Sequence, residues 1–441
     1  MINKSIEEYL KSGYSRFHIP GHKGNPEFGL PYDVTELDKT DDLYNSRGSI
    51  KESENLVSDI YGSGFTIFST QGNTLCIQTM LHLVFRNGGK LIVARNCHRS
   101  VVSVMGLLGI TPIWVRVGCD ENVNCEDILD KLKKNPDAKA IFVTSPDYFG
   151  RMVDIRKVKS FCGDIPLLVD NAHGSHLFFF DSHPISLGAD IVADSSHKTL
   201  PVLTGGAWLH VSKRFSDLTK ISYEDAKESM RIFGSTSPSF VVLVSLEKCA
   251  LWLKEHAGEE FFKLKDRVDK IRKKAKSILL SYPILDPIRI TLETSRIGIS
   301  GEILCSFFTQ FKIEPEFVLG STIVLIPSPF NYDMDWDRLE SCIHYIYEVS
   351  SLRYGLNLKV RSNSYEGHDC GESKSKLSIR NAMFSEFETM KVEESEGFVC
   401  AQIVSSCPPG VPILIPGEFI DKSKISHMQE MNIKHIQVVK E

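Results

Sequence analysis

The sequence predicts an α/β architecture built on a mostly parallel sheet, and three observations carry that expectation. Short apolar strands alternate with single helices from residue 64 to residue 211, the pattern of successive βαβ units. Two of these strands end in residues of chemical use. Pro166-Leu167-Leu168-Val169 runs into Asp170-Asn171-Ala172-His173-Gly174, and Ile191-Val192-Ala193 runs into Asp194-Ser195-Ser196-His197-Lys198-Thr199. Open α/β sheets bind ligands beyond the carboxyl ends of their strands, so both segments point to one site. Third, the strand Gly64 to Ser69 passes through Gln71-Gly72-Asn73-Thr74 into an apolar helix. At such a junction the free N–H groups and the helix dipole can hold a phosphate.

Taken in order, residues 1–45 read as a polar, turn-rich arm with His18, His22 and Lys23 on a Pro/Gly loop. Ser49-Ile50-Lys51-Glu52 reads as a capping box that opens a helix through Tyr61. Residues 46–235 form the large domain. The strand at 64–69 and a helix from Leu75 to Phe85 are followed by a strand at Leu91 to Ala94 and a helix through Leu108. A strand from Pro112 to Val117, a charged helix from Cys125 to Lys134, a strand from Ala140 to Thr144 and a helix from Val153 to Cys162 come next. The strands ending at Asp170 and at Ala193 follow, then Gly205-Gly206 and a last strand, Ala207 to Val211.

Residues 236–361 form a linking helix and a smaller domain. The helix opens at Ser237-Pro238, is apolar from Val241 to Leu251 and is charged from Lys254 to Lys276. The smaller domain shows a strand at Ile288 to Thr291, a helix over 299–311, a strand at Thr322 to Ile326 and a helix over 335–351. Residues 362–378 are a Ser/Gly-rich linker, and 379–441 form a compact C-terminal unit whose size alone does not secure its stability.

Composition narrows the function. Over 441 residues the chain is 42% apolar and 24% charged, an ordinary soluble balance. A formal charge of -5 gives no basis for a nucleic-acid partner. The charged start, Met1-Ile2-Asn3-Lys4-Ser5-Ile6-Glu7-Glu8, lacks the apolar core of a signal peptide, and no apolar run reaches membrane-spanning length. The 11 cysteines are odd in number, scattered and without a C-x-x-C pair. They read as reduced packing residues of a cytoplasmic protein, neither a disulfide framework nor a metal site.

Lys198 stands at a strand end among small hydroxyl residues and beside His197, where burial and nearby cations can lower a lysine pKa toward that of a nucleophile. Asp170 ends the strand upstream. Pyridoxal phosphate needs this pair: a lysine for its aldehyde and an acid for its ring nitrogen. Ser195 and His197, with the turn Gly72, Asn73 and Thr74, are candidates for its phosphate. The neighbour Asn171 is expected to point to the opposite face of an extended segment.

At these residues the chain resembles the ornithine/lysine/arginine decarboxylases of the aspartate-aminotransferase fold. The resemblance extends to Phe17-His18-Ile19-Pro20-Gly21-His22-Lys23, Asp41-Asp42-Leu43, Asn96-Cys97-His98-Arg99-Ser100, Ser145-Pro146-Asp147-Tyr148-Phe149-Gly150 and Thr236-Ser237-Pro238-Ser239. It ends with Cys407-Pro408-Pro409-Gly410-Val411-Pro412 and Pro416-Gly417-Glu418. It implies a large aminotransferase-like domain with a mostly parallel sheet, a smaller α/β domain and a small C-terminal α+β domain, without the N-terminal receiver-like domain of larger members.

The resemblance also implies function. The chain would be a pyridoxal-phosphate-dependent decarboxylase of lysine, ornithine or arginine, giving the amine and CO2. His98 would stack on the cofactor ring, His173 would lie near the ring face, and Thr236 and Ser237 would reach the phosphate from a partner subunit. A homodimer or higher homo-oligomer with shared sites follows. Asp41, Asp42, Asp286 and Glu418 are the candidate carboxylates for a basic side chain. The chain departs from the family pattern at Asn171, where D-E-A-H-G becomes D-N-A-H-G, at Asp147, and at Asn73 and Leu75, which are larger than usual. An aminotransferase or aldolase on the same cofactor, and a non-catalytic relative acting by interaction, are the alternative readings.

Overall fold

The computed structural model describes residues 1–117, 123–353, 375–405 and 410–440. The large sheet has seven strands: β1 (Phe65–Ser69), β2 (Gly89–Ala94), β3 (Ile110–Val115), β4 (Ala138–Thr144), β5 (Leu167–Asp170), β6 (Ile191–Asp194) and β7 (Ala207–Val211). Their order is β1-β7-β6-β5-β4-β2-β3. The run from β6 to β3 is parallel, and β7 is antiparallel to both of its neighbours. Parallel strands must be joined by crossovers, so their carboxyl ends collect on one edge.

Side-chain alternation along each strand divides the core. Leu91 and Val93 of β2, Phe142 of β4 and Leu168 of β5 belong to the larger apolar layer, while Ile92, Ile141, Val143, Leu167 and Val169 belong to the layer behind the sheet. With both faces covered, the strands read as continuous apolar runs, which is what made them visible in the sequence.

Helix starts differ from expectation in instructive ways. The helix Ser49–Tyr61 has no side-chain bond at its Gly48 cap. The Gly48 and Ile50 amides at its start instead donate to Asp41 Oδ2, each within 3.0 Å, so the expected capping box is replaced by a carboxylate from the preceding loop. The arm is also not wholly irregular. Helix Ile2–Lys11 buries Ile2, Ile6 and Tyr9 along one stripe.

The expected linking helix is two helices, Phe240–Glu255 and Ala257–Lys274, divided at His256. Their division falls where the apolar stretch gives way to the charged one. Helices Lys213–Thr219 and Tyr223–Arg231 precede them. The smaller domain carries β8 (Ile290–Glu293), β9 (Phe317–Leu319) and β10 (Thr322–Leu325) in the order β8-β10-β9.

Of the expected linker, only 375–378 lie within the described residues. The C-terminal unit pairs β11 (Phe387–Lys391) with β14 (His435–Val439), and β12 (Val404–Ser405) with β13 (Pro412–Leu414). It has a core of its own around Val392, Leu414, Met428 and Val438. Its docking on the large domain is specific. Arg380 donates to the Gly106 and Leu107 carbonyls, and the Arg99 amide donates to the Gly410 carbonyl at 2.9 Å. Of Cys407-Pro408-Pro409-Gly410, only Gly410 is among the described residues.

Candidate active site

The carboxyl ends of β4, β5 and β6 open into a cavity of about 450 Å3. Lys198 reaches it from the single-turn helix Ser196–Thr199 that follows β6 directly. Its Nζ lies 3.0 Å from His173 Nε2, so the amine and imidazole that sequence placed on separate strand ends meet here. Tyr148 closes the far side of His173 edge-on, with ring centroids 5.1 Å apart.

Asp170, at the end of β5, is buried and lines the same cavity. Asn73 Nδ2 donates to its Oδ1 at 2.8 Å and the Ala172 amide to the same oxygen at 3.2 Å. Oδ2 is thereby the oxygen available to a ligand N–H. Burial pushes the Asp170 carboxyl up to about 6, and the Lys198 charge is the largest influence against that rise. It therefore remains mostly ionised at neutral pH.

The helix Gly72–Phe85 also begins at the cavity, with no side-chain cap. Gly72 has φ +72°, a left-handed conformation open to glycine, and its amide donates to the Gly205 carbonyl at 2.7 Å. The first-turn amides after it have no acceptor inside the helix and carry the positive end of its dipole. His197 stands beside them, with Nδ1 3.0 Å from the Gly206 carbonyl, so that nitrogen carries a proton and Nε2 is left for a ligand. Ser195 Oγ lies 3.4 Å from His197 Nδ1.

His98 caps the helix Arg99–Leu108: its Nδ1 accepts from the Ser100 amide, which leaves a proton on Nε2. It lines the cavity as well. Burial, with the charges of Lys198 and Arg99, pushes it down to about 4. His173 is held well below the ordinary histidine range, chiefly by burial and then by the Lys198 charge. Both are neutral at physiological pH.

These residues fit pyridoxal phosphate. Asn73 Oδ1, Thr144 Oγ1 and His173 Nδ1 are buried without a partner, and all three residues line this cavity. Buried polar atoms without partners are costly unless a ligand satisfies them. An amine, a buried carboxylate and an uncapped helix start on one cavity supply what an aldehyde, a ring nitrogen and a phosphate require.

Other candidates are placed elsewhere. Thr236 and Ser237 are exposed and outside the cavity lining. Asp41 accepts from four backbone amides, those of Asp42, Arg47, Gly48 and Ile50. Asp42 accepts from the Tyr44 and Asn45 amides. Asp286 is fully buried against His176 at 3.0 Å and the Ile288 and Arg289 amides. Glu418 is buried in an ion pair with Arg95 at 3.3 Å. None of these four carboxylates is brought to the cavity; each holds backbone or a buried cation.

Sequence reasoning missed the wall supplied by the C-terminal unit. Val411, Pro412 and Ile413 line the cavity, as do Asp421 and His427 from the helix Lys422–Glu430 and its cap. Arg95 holds this wall in place, donating to the Pro412 carbonyl at 2.8 Å while its guanidinium stacks on Trp114. An arginine at the end of an apolar strand was the available signal. Asp147 also lines the cavity, paired with Arg151 at 2.6 Å. Burial nonetheless pushes its carboxyl up to about 7.

Comparison with known proteins places this geometry. Residues 2–291 match the Orn/Lys/Arg decarboxylase major domain, and residues 365–436 match the C-terminal domain of the same family. An arginine decarboxylase of Bacillus subtilis is 30% identical over 94% of this chain and 89% of its own length. One from Halalkalibacterium halodurans is 28% identical over 97% and 92%. In fold, the chain is similar to the lysine decarboxylase of Francisella novicida, with a TM-score of 0.82 at 17% identity, covering 100% of this chain and 81% of that one. The chain therefore belongs to the Orn/Lys/Arg decarboxylases and is a pyridoxal-phosphate-dependent amino-acid decarboxylase.

Proposed function

We propose that this enzyme decarboxylates a basic amino acid, with arginine as the first substrate to test and lysine and ornithine after it. The observation that carries the reading is the convergence of Lys198 and Asp170 on one cavity from adjacent parallel strands. The choice of arginine is supported by relatives: those at 28–30% identity noted above are arginine decarboxylases, whereas a constitutive lysine decarboxylase of Escherichia coli is 19% identical.

Bound in this cavity, pyridoxal phosphate supplies an aldehyde carbon and a ring that takes up the electron pair left when CO2 departs. Lys198 is the amine that would hold the cofactor. Asp170 Oδ2 keeps the ring nitrogen protonated, because an ionised carboxylate at that atom favours the charged ring. The Gly72–Thr74 amides, Ser195 and His197 are the groups that would hold the phosphate. His98 and His173, both neutral, line the cavity and would cover the ring and exclude water. A proton must return to the substrate carbon, and we assign its delivery to Lys198 Nζ, which lies 3.0 Å from His173 Nε2.

The functional unit is a homodimer or larger assembly. Supporting it, Tyr14, Phe17, Ile19, Phe28 and Leu30 form an exposed apolar stretch, with Phe17 95% exposed. Exposed apolar clusters of this kind mark association surfaces. The test of function is direct. Protein loaded with pyridoxal phosphate is reduced with borohydride and mapped, and separately assayed for agmatine, cadaverine and putrescine from arginine, lysine and ornithine. The pyridoxyl group on Lys198 and one dominant amine are expected. Label on another lysine, or no amine from any of the three, would overturn the reading.

A further inference from the structure

We infer that Asn171 and Asp194 are positioning residues whose side-chain bond ties the Asp170 strand end to the Lys198 strand end, fixing the ring-nitrogen partner relative to the cofactor lysine. The inference rests on the cofactor reading above.

The two strands are joined by backbone up to this point and no further. The Asn171 amide donates to the Ala193 carbonyl at 2.9 Å, and there the β5–β6 ladder ends. One bond continues across the gap: Asn171 Nδ2 donates to Asp194 Oδ1 at 2.7 Å. Both side chains are fully buried. Asn171 follows Asp170 directly, and Asp194 stands one residue before Ser195 and one helical turn before Lys198. A shift of either strand end would move Asp170 against Lys198, and this bond resists that shift.

The polarity of the pair is dictated from behind. Asp194 Oδ2 faces His183 Nε2 at 3.1 Å and His210 Nε2 at 3.5 Å. Burial opposes its charge, but His183 and His210 outweigh that cost and hold the carboxyl below the usual range. An ionised Asp194 only accepts, so position 171 must donate. Asparagine does so; a glutamate there would set two carboxylates together in a buried site. This accounts for the departure at Asn171.

The surrounding loop is shaped to the same bond. A Cβ at Gly174 would lie 2.0 Å from Asn171 Oδ1, so only glycine lets the turn close over the carboxamide. That turn, closed by the Gly174 amide on the Asn171 carbonyl at 2.8 Å, carries His173. The bond therefore also bears on the imidazole beside Lys198. His183, Asp194 and His210 together resemble a ligand set for a cation. However, His183 Nδ1 accepts from the Ile185 amide at 3.4 Å, which leaves the proton on Nε2, aimed at Asp194. His183 thus donates to Asp194, and His210 Nε2 lies 3.5 Å from the same oxygen.

Reversing the pair tests this in the holoenzyme. Asn171→Asp, Asp194→Asn and the double variant are compared with wild type for pyridoxal phosphate dissociation constant, visible circular dichroism of the bound cofactor and thermal unfolding. Each single variant is expected to weaken cofactor binding by on the order of tenfold and alter the visible dichroism, because a buried group loses its partner. The double variant exchanges donor and acceptor across the same gap, with the carboxamide now on the β6 side, and is expected to recover most of both. If it stays as weak as the single variants while unfolding near the wild-type temperature, the inference fails. Should Asn171→Asp not fold, Asn171→Ala adds no charge and decides: wild-type affinity and dichroism in that variant overturn the inference, whereas loss of both supports it. Failure of the wild type itself to bind the cofactor at Lys198 would instead sink the cofactor reading, so the two failures are distinct.

Discussion

Asn73 Nδ2 donates to Asp170 Oδ1 at 2.8 Å, so the residue at the helix start proposed to cradle the phosphate also steers the carboxylate proposed to hold the ring nitrogen. One residue larger than the family pattern thus couples the helix start to the carboxylate. Burial raises the Asp170 pKa to about 6, and the Asn73 bond works against that rise. Removing it in Asn73→Ala raises the pKa further, so a smaller fraction of Asp170 is ionised near neutrality. The acid limb of the kcat/KM profile is expected to move to higher pH, with turnover at high pH less affected. A profile whose acid limb stays where it was would show that Asn73 does not act through Asp170.

Asp170→Asn is the sharper variant. It keeps size and a hydrogen bond but removes the charge proposed to hold the ring nitrogen protonated. Borohydride should still trap the cofactor on Lys198, while turnover falls on the order of a hundredfold or more, each tenfold being about 1.4 kcal/mol in the barrier. Near-normal turnover in this variant would mean that another group partners the ring.

His98 gives a stability prediction whose sign is fixed. Its folded pKa is about 4, below the ordinary value of roughly 6.5. Between those values the unfolded chain binds a proton that the folded one does not, so stability falls as pH drops from roughly 6.5 to 4 and is fully present above that window. The contribution is at most about 3 kcal/mol. His98→Asn keeps a good cap for the helix but cannot titrate. Thermal midpoints of the apoprotein should fall less steeply across that window in the variant. Superimposable curves would mean that the imidazole is free to protonate in the fold.

Much of this was legible because the chemistry sits at strand ends. Ile191-Val192-Ala193 and Leu167-Leu168-Val169 are buried on both faces, so their apolar runs announced the strands and located Lys198 and Asp170 at their ends. Contacts between distant segments were hidden. Asp41 read as an acid open to substrate, yet its carboxylate is filled by amides of a turn that the local pattern did not reveal. Glu418 read the same way, and its partner Arg95 lies 323 residues away. The break at His256 was missed because helical periodicity persists on both sides of it. Ile2, Ile6 and Tyr9 did carry a helical stripe, obscured by the turn-rich segment that follows.

Glu418 and Arg95 lead to a different outcome from a substrate contact. Both are buried, with side chains 1% and 6% exposed. Glu418→Ala strands a buried guanidinium, and breaking such a pair costs about 3–5 kcal/mol. Thermal stability should drop sharply, and the C-terminal wall held through the Pro412 carbonyl should loosen. The ratio of activities on arginine, lysine and ornithine should be unchanged at a temperature where the variant is folded. A selective loss for one amino acid at unchanged stability would return Glu418 to the substrate.

The last prediction concerns the second copy. Thr236 and Ser237 are exposed and lie outside the cavity lining of their own chain. They are held in a turn where the Ser237 amide donates to Ser235 Oγ at 3.1 Å and Tyr44 OH donates to the Ser235 carbonyl. A polar turn fixed from behind and presented outward suits a contact made across an interface. The exposed apolar stretch from Tyr14 to Leu30 supplies area for that interface. If Thr236 and Ser237 complete a neighbour's phosphate site, a subunit carrying Lys198→Ala can still lend them. A subunit carrying Thr236→Ala and Ser237→Ala can still supply a lysine. Mixed dimers would then contain one site with every group intact, although each parent has none. Activity should reappear on mixing, approaching a quarter of the wild-type value at equal ratios if exchange is random. Subunit exchange is followed independently with differently tagged chains. Complete exchange without recovered activity would show that each chain builds its phosphate site alone.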